Sequence, residues 1–213
     1  MSAEVRELTR KSAGWQRETN ALGMWVFLST EVMFFGVLFL AYFHGRMQDA
    51  RGFALGSHLT HPWLGTINTA MLLTSSLTMA LAVRGVWLGQ RRVAARFLWA
   101  TACLGAAFLA VKAIEYAAEW RDGLVPWMHF GYAGDHASGV ETFFYLYFVM
   151  TGVHALHLAL GIAVVMWLAT RLRKRATIAA RADAIEAAGL YWHFVDGIWI
   201  FLYPLIYLVE LWR

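Results

Sequence analysis

Seven ionisable side chains stand where a mostly apolar sequence tolerates them least: Glu31, Lys112, Glu115, His154, His157, His193 and Asp196. Carboxylates and imidazoles brought together from several helices can hold a pair of metal ions. They can also pass protons, because buried Glu and His exchange a proton near neutral pH. Or they can simply bond to one another and lock helices together. The spacing weighs against metal. His154 and His157 form an i,i+3 pair, but no Glu-x-x-His occurs in the sequence, and a stand-alone di-metal oxidase would need such ligands. An interhelical network of Glu31, His154, His157, His193 and Asp196 is the preferred reading, with a proton relay as the alternative. Glu31, among apolar neighbours, is expected to be neutral. Lys112 and Glu115 are three residues apart and face each other on a helix. They are expected to neutralise each other and fix packing, with an ion relay as the second reading. No Ser/His/Asp arrangement or phosphate-cradling glycine loop accompanies these groups, so no catalytic residue and no metal ligand is assigned.

These side chains must be positioned by membrane-spanning helices. The chain has 213 residues, of which 60% are hydrophobic and 15% charged, whereas soluble domains run at about 45–50% and about 25%. Five segments are long and apolar enough to cross a hydrocarbon core of about 30 Å: roughly 23–43, 63–83, 97–117, 142–170 and 190–211. Stretches such as VMFFGVLFLAYF have no polar stripe that a soluble helix would need. The N-terminal tail and the second and fourth loops hold thirteen of the Lys and Arg residues, against four in the first and third loops and the C-terminus. The positive-inside rule then predicts an all-α bundle of five transmembrane helices, N-terminus inside and C-terminus outside. The basic pI of about 9.4 is thus a topology signal rather than a sign of nucleic-acid binding. At about 1.5 Å per residue, Glu31, His154, His157, His193 and Asp196 fall in the inner half, and Lys112 with Glu115 in the outer part.

Residues 1–22 lack an apolar stretch and are read as a cytoplasmic tail, leaving 23–213 as one membrane domain. The basic, Ala-rich fourth loop is expected to form a solvated helix with its bases near lipid phosphates. Ser75, Ser76, Thr69, Thr74, Gly152 and Gly161 are small residues suited to close helix packing. Cys103 is expected to be an inert core thiol, and as the single cysteine it excludes any intrachain disulfide. His44, His58, His61, His129 and His136 are expected at the surface.

Five stretches, one in each span, resemble a known family. GMWVFLSTEVMFFGVLFLAYFHGR resembles the helix of haem-copper oxidase subunit III that carries a buried glutamate. HPWLGTINTAMLLTSS is similar to the next helix, and KAIEYAAEW to the family's glutamate-tyrosine helix end. ETFFYLYFVMTGVHALHLALGI and EAAGLYWHFVDGIWIFLYPLIYL match the last two helices and are the most specific. The resemblance runs in order from about residue 20 to 211, and to the five-helix bacterial forms rather than the seven-helix ones. It implies a subunit of a terminal oxidase in the bacterial cytoplasmic membrane that reduces O2 to water with electrons from cytochrome c or, in sister enzymes, quinol. An accessory subunit of nitric oxide reduction is the related alternative. The resemblance further implies no haem or copper in this chain, those centres lying in subunits I and II. It implies packing on subunit I, bound phospholipid and support of proton uptake. It places Glu31 at the family's carbodiimide-reactive carboxylate and Arg171 where an arginine holds lipid phosphate.

Overall fold

The computed structural model describes residues 3–126, 130–173 and 179–208, with side chains described for Trp15, 18–126, 130–172 and 182–208. His129, Lys174, Arg175, Glu210 and Arg213 lie outside the described residues. The described chain is helical: α1 (Ala3–Gln48), α2 (Ala50–Leu59), α3 (Pro62–Trp87), α4 (Arg91–Arg121), α5 (Ala137–Arg173) and α6 (Ala179–Tyr207). Four helices, α1, α3, α4 and α5, are long and apolar enough to cross a membrane, which makes this a membrane helical bundle. α6 covers the segment expected as the fifth span, but it falls outside that set. Tyr191, Trp192, His193, Asp196 and Pro204 interrupt its apolar run.

Two segments add to the sequence expectation. The tail before residue 23 is helical from Ala3, since α1 runs unbroken from there to Gln48. The first loop contains a further helix, α2. Its N-cap is Asp49, whose carboxylate accepts from the Gly52 amide at 3.0 Å. Phe53 anchors α2, fully buried against Tyr42 and Phe143. At its far end the Thr60 hydroxyl donates to the Ser57 carbonyl, and Pro62 then opens α3 at a position where its missing N–H costs nothing.

α3 and α4 form an antiparallel hairpin over a turn in which Gly89 takes φ +69°, a region open to glycine without strain. α4 packs next to α5, and α6 lies against α3 and α5, while α1 packs along α5 and the edge of α6. The core is aromatic, built on Phe35, Tyr42, Phe108, Phe144, Trp192 and Trp199. Hydroxyls on α3 form a ladder along α6. Thr66 pairs with the Tyr203 hydroxyl at 2.8 Å, Thr69 accepts from Trp199 Nε1 at 3.0 Å, Ser75 accepts from Trp192 Nε1 at 3.1 Å, and Ser76 pairs with His193 Nδ1 at 2.7 Å. Between successive pairs the steps are 3, 6 and 1 residues on α3 against 4, 7 and 1 on α6, so the two helices meet along one seam over several turns. Thr69, Ser75 and Ser76 therefore serve packing as expected, whereas Thr74 turns back to its own helix at the Ala70 carbonyl. Gly161 approaches Tyr191 and Trp192 closely, whereas a Cβ at Gly152 would meet only the Tyr116 hydroxyl, at 3.9 Å, an ordinary contact. Cys103 is exposed, not buried, because it lies on the outward face of α4.

Candidate functional site

The ionisable residues fall into separate places rather than one cluster. Glu31 on α1 meets His157 on α5, with Oε2 3.0 Å from Nε2. Both side chains keep a small exposure, 17% and 15%. The other ring nitrogen fixes the protonation pattern. Nδ1 lies 2.8 Å from the Val153 carbonyl, which only accepts, so Nδ1 carries a hydrogen. Nε2 therefore either accepts a proton from a neutral Glu31 or donates one, as imidazolium, to the carboxylate. The pair holds one proton between two sites. Phe34 and Phe35 flank the imidazole, with ring centroids 6.5 and 5.3 Å from it.

His154, one turn before His157, does not join this pair. It is fully buried, with its ring 5.7 Å from Phe108 and 5.1 Å from Trp199. Neither of its nitrogens has a hydrogen-bond partner among the described residues. His193 lies on an exposed part of α6 and bonds Ser76. Asp196 is buried, with both carboxylate oxygens unpartnered among the described residues. The inner set is thus one pair, one α3–α6 tie and two enclosed groups.

The outer site is denser than its two expected members. Lys112 Nζ donates to Glu115 Oε2 at 3.1 Å, to the Tyr147 hydroxyl at 2.9 Å and to the Tyr207 hydroxyl at 2.9 Å. These are the three hydrogens an ammonium has. Tyr147 and Tyr207 in turn donate to Glu115 Oε1. Four rings, Tyr116, Tyr147, Trp199 and Tyr207, stand 4.7 to 5.7 Å from the ammonium, adding cation–π attraction at a buried charge. Three helices close the site, since Lys112 and Glu115 come from α4, Tyr147 from α5 and Tyr207 from α6. Glu119, one turn further along α4, is buried beside it. Sequence reasoning missed Glu119 because the span was ended at 117. The signal was its i+4 spacing from Glu115 and i+7 from Lys112, which puts all three on one face. Nothing in the sequence marked Tyr147 or Tyr207 among so many aromatics.

Arg171 is exposed near the end of α5, with its guanidinium 5.3 Å from the Trp167 ring. His44, His58, His61 and His136 are exposed. His136 does more than sit at the surface. Its Nδ1 lies 3.0 Å from Asp49 Oδ2, tying the start of α2 to the start of α5, and it holds a positive φ of 58°. The Gly52 amide first, and the His136 ring after it, hold the Asp49 carboxyl below the usual carboxylate range, against a smaller opposing effect of burial.

Among the described residues no three His, Cys, Asp or Glu side chains converge as metal ligands. Both nitrogens of His157 are engaged, and His154 is packed against two aromatic rings.

Comparison with known proteins agrees with the motif order. The sequence profile of cytochrome c oxidase subunit III matches residues 11–211. A quinol oxidase subunit 3 from Bacillus spizizenii is 32% identical over 200 residues, covering 92% of each chain. A cytochrome c oxidase subunit 3 from Alkalihalophilus pseudofirmus is 31% identical over 190 residues, covering 88% of this chain and 85% of its own. A haem-copper oxidase subunit I+III from Aeropyrum pernix is 31% identical over 199 residues, which are 87% of this chain and 22% of that protein. With the profile spanning nearly the whole chain and relatives above 30% identical along most of both lengths, the chain belongs to the cytochrome c oxidase subunit III family, subunit III of the haem-copper oxidases.

Proposed function

We propose that this chain is a non-catalytic subunit of a terminal oxidase complex in a bacterial cytoplasmic membrane, where O2 is reduced to water with electrons from cytochrome c or quinol. Haem and copper belong to subunits I and II in this reading, and the chain packs against subunit I. A relative in which a subunit I and a subunit III share one polypeptide supports that neighbour. The chain crosses the membrane five times, N-terminus inside, with α6 as the fifth span. Its hydroxyl ladder to α3 gives Trp192, His193, Trp199 and Tyr203 partners inside the bundle, as suits a spanning helix.

One observation carries the functional part of the proposal. Glu31 and His157 share a proton on a face that keeps some exposure. A group that binds and gives up one proton at the edge of a subunit suits a subunit that supports proton uptake by its neighbour. Arg171, with Trp167 beside it at one end of α5, is suited to hold a phospholipid phosphate at the membrane boundary. The test is gentle purification through a tag on this chain, followed by subunit identification, haem spectra and donor assays. A haem-bearing polytopic partner that oxidises cytochrome c or quinol is the expected companion. A partner that reduces nitric oxide and not O2 would move the chain to the alternative complex.

A further inference from the structure

The Lys112–Glu115 site is closed, and that closure leaves Glu119 with nothing. The three hydrogens of the ammonium are used, the Glu115 carboxylate has donors on both oxygens, and the two formal charges cancel. Glu119 follows Glu115 by one turn on the same helix face, 1% exposed, and neither of its oxygens has a hydrogen-bond partner among the described residues. An ionised carboxylate there would be an uncompensated buried charge next to another carboxylate. The groups that face it are Lys112, Glu115 and Asp122 from α4, Tyr147 from α5 and Tyr207 from α6. Among them Lys112 alone carries a positive charge, already balanced by Glu115. His154, unpartnered and fully buried, lies across Trp199 from Lys112, with the indole 5.1 Å from the imidazole and 5.7 Å from the ammonium. Packed between aromatic rings and facing a positive charge, it offers Glu119 no counter-charge.

The geometry points to Glu119 as a proton-binding site at the end of the bundle capped by α2, holding one proton that exchanges with the solution on that side. The exchange route is short. Glu119 stands one turn before the helix stop at Asp122, which is exposed, and its carbonyl accepts from the Leu124 amide as the chain turns back. The ligand is a proton rather than a metal ion, because no third acidic or imidazole group converges there among the described residues. This site is distinct from the Glu31–His157 pair and does not depend on which donor the complex uses.

Infrared spectroscopy of the purified complex tests it. At neutral pH, the difference spectrum between wild type and Glu119→Gln should show the loss of one protonated-carboxylic-acid carbonyl band per chain. That band should shift in D2O and give way to carboxylate bands as the pH is raised. Glu119→Gln should assemble as well as wild type, because an amide resembles a neutral acid in size and bonding. Loss of carboxylate bands alone at neutral pH would overturn the proposal, and so would a band that never exchanges in D2O. Failure of Glu119→Gln to assemble where Glu119→Asp does would show that the charged form is needed, with the same consequence.

Discussion

At the scale of single residues, the proton shared by Glu31 and His157 makes the sharpest claim. Glu31→Gln keeps a donor for His157 Nε2, since the amide N–H can reach where the acid O–H did. The variant complex should therefore assemble and begin turnover normally. Glu31→Ala leaves Nε2 without a partner and should cost about 1–3 kcal/mol of stability, measured as a lower midpoint of thermal inactivation. Equal loss of assembly in both variants would mean that the charge of Glu31 holds the subunit in place. The pair was half legible in the sequence. The residue types and their depth pointed to an interhelical contact, but which histidine meets Glu31 depends on the rotation of α5. One turn separates His154 from His157, and the structure sends one to the pair and the other under Trp199.

The elements raise a different question, because here local chemistry decides whether helices begin and dock. Asp49 caps α2 and reaches His136 at the start of α5. Asp49→Ala removes the cap and should cost about 0.5–2 kcal/mol, while Asp49→Asn keeps the bond to Gly52 and loses most of the tie to His136. Because the folded Asp49 carboxyl sits below its ordinary range, its contribution is fully present above that range and fades as the pH falls through the lowered value. Acid should therefore loosen α2 in the wild type, read by protease cleavage between residues 49 and 60, and Asp49→Asn should flatten that dependence. Along the α3–α6 seam, Trp192→Phe keeps the ring and removes the bond to Ser75, at a cost of about 0.5–1.5 kcal/mol in thermal stability. Gly105, whose added Cβ would stand 2.9 Å from Trp192, should resist enlargement: Gly105→Val overpacks the core by about 1–3 kcal/mol. Long apolar helices were visible in the sequence because their period is simple. α2 was not, since its ten residues give too short a pattern and its cap, Asp49, reads equally well as a loop residue. α6 was read as a span from its aliphatic residues, although its polar and aromatic side chains face α3.

For the whole molecule, the arrangement separates what is closed from what is left open. The Lys112 site, the hydroxyl ladder and the aromatic core complete themselves within the chain. α1 instead turns Trp25, Val32, Met33, Val37 and Leu40 outward, as a helix bordered by lipid or another apolar surface does. Glu31 of the Glu31–His157 pair lies on the same helix. A chain whose Lys112–Glu115 site is closed and whose proton-sharing pair is at its edge suits chemistry carried out next door. The most direct measurement compares the intact complex with the same complex depleted of this chain. Haem spectra should be unchanged and O2 reduction should persist at first after depletion, then decline as turnover continues. Loss of haem or copper in proportion to the chain removed would contradict the account, because it would place a redox centre in this subunit.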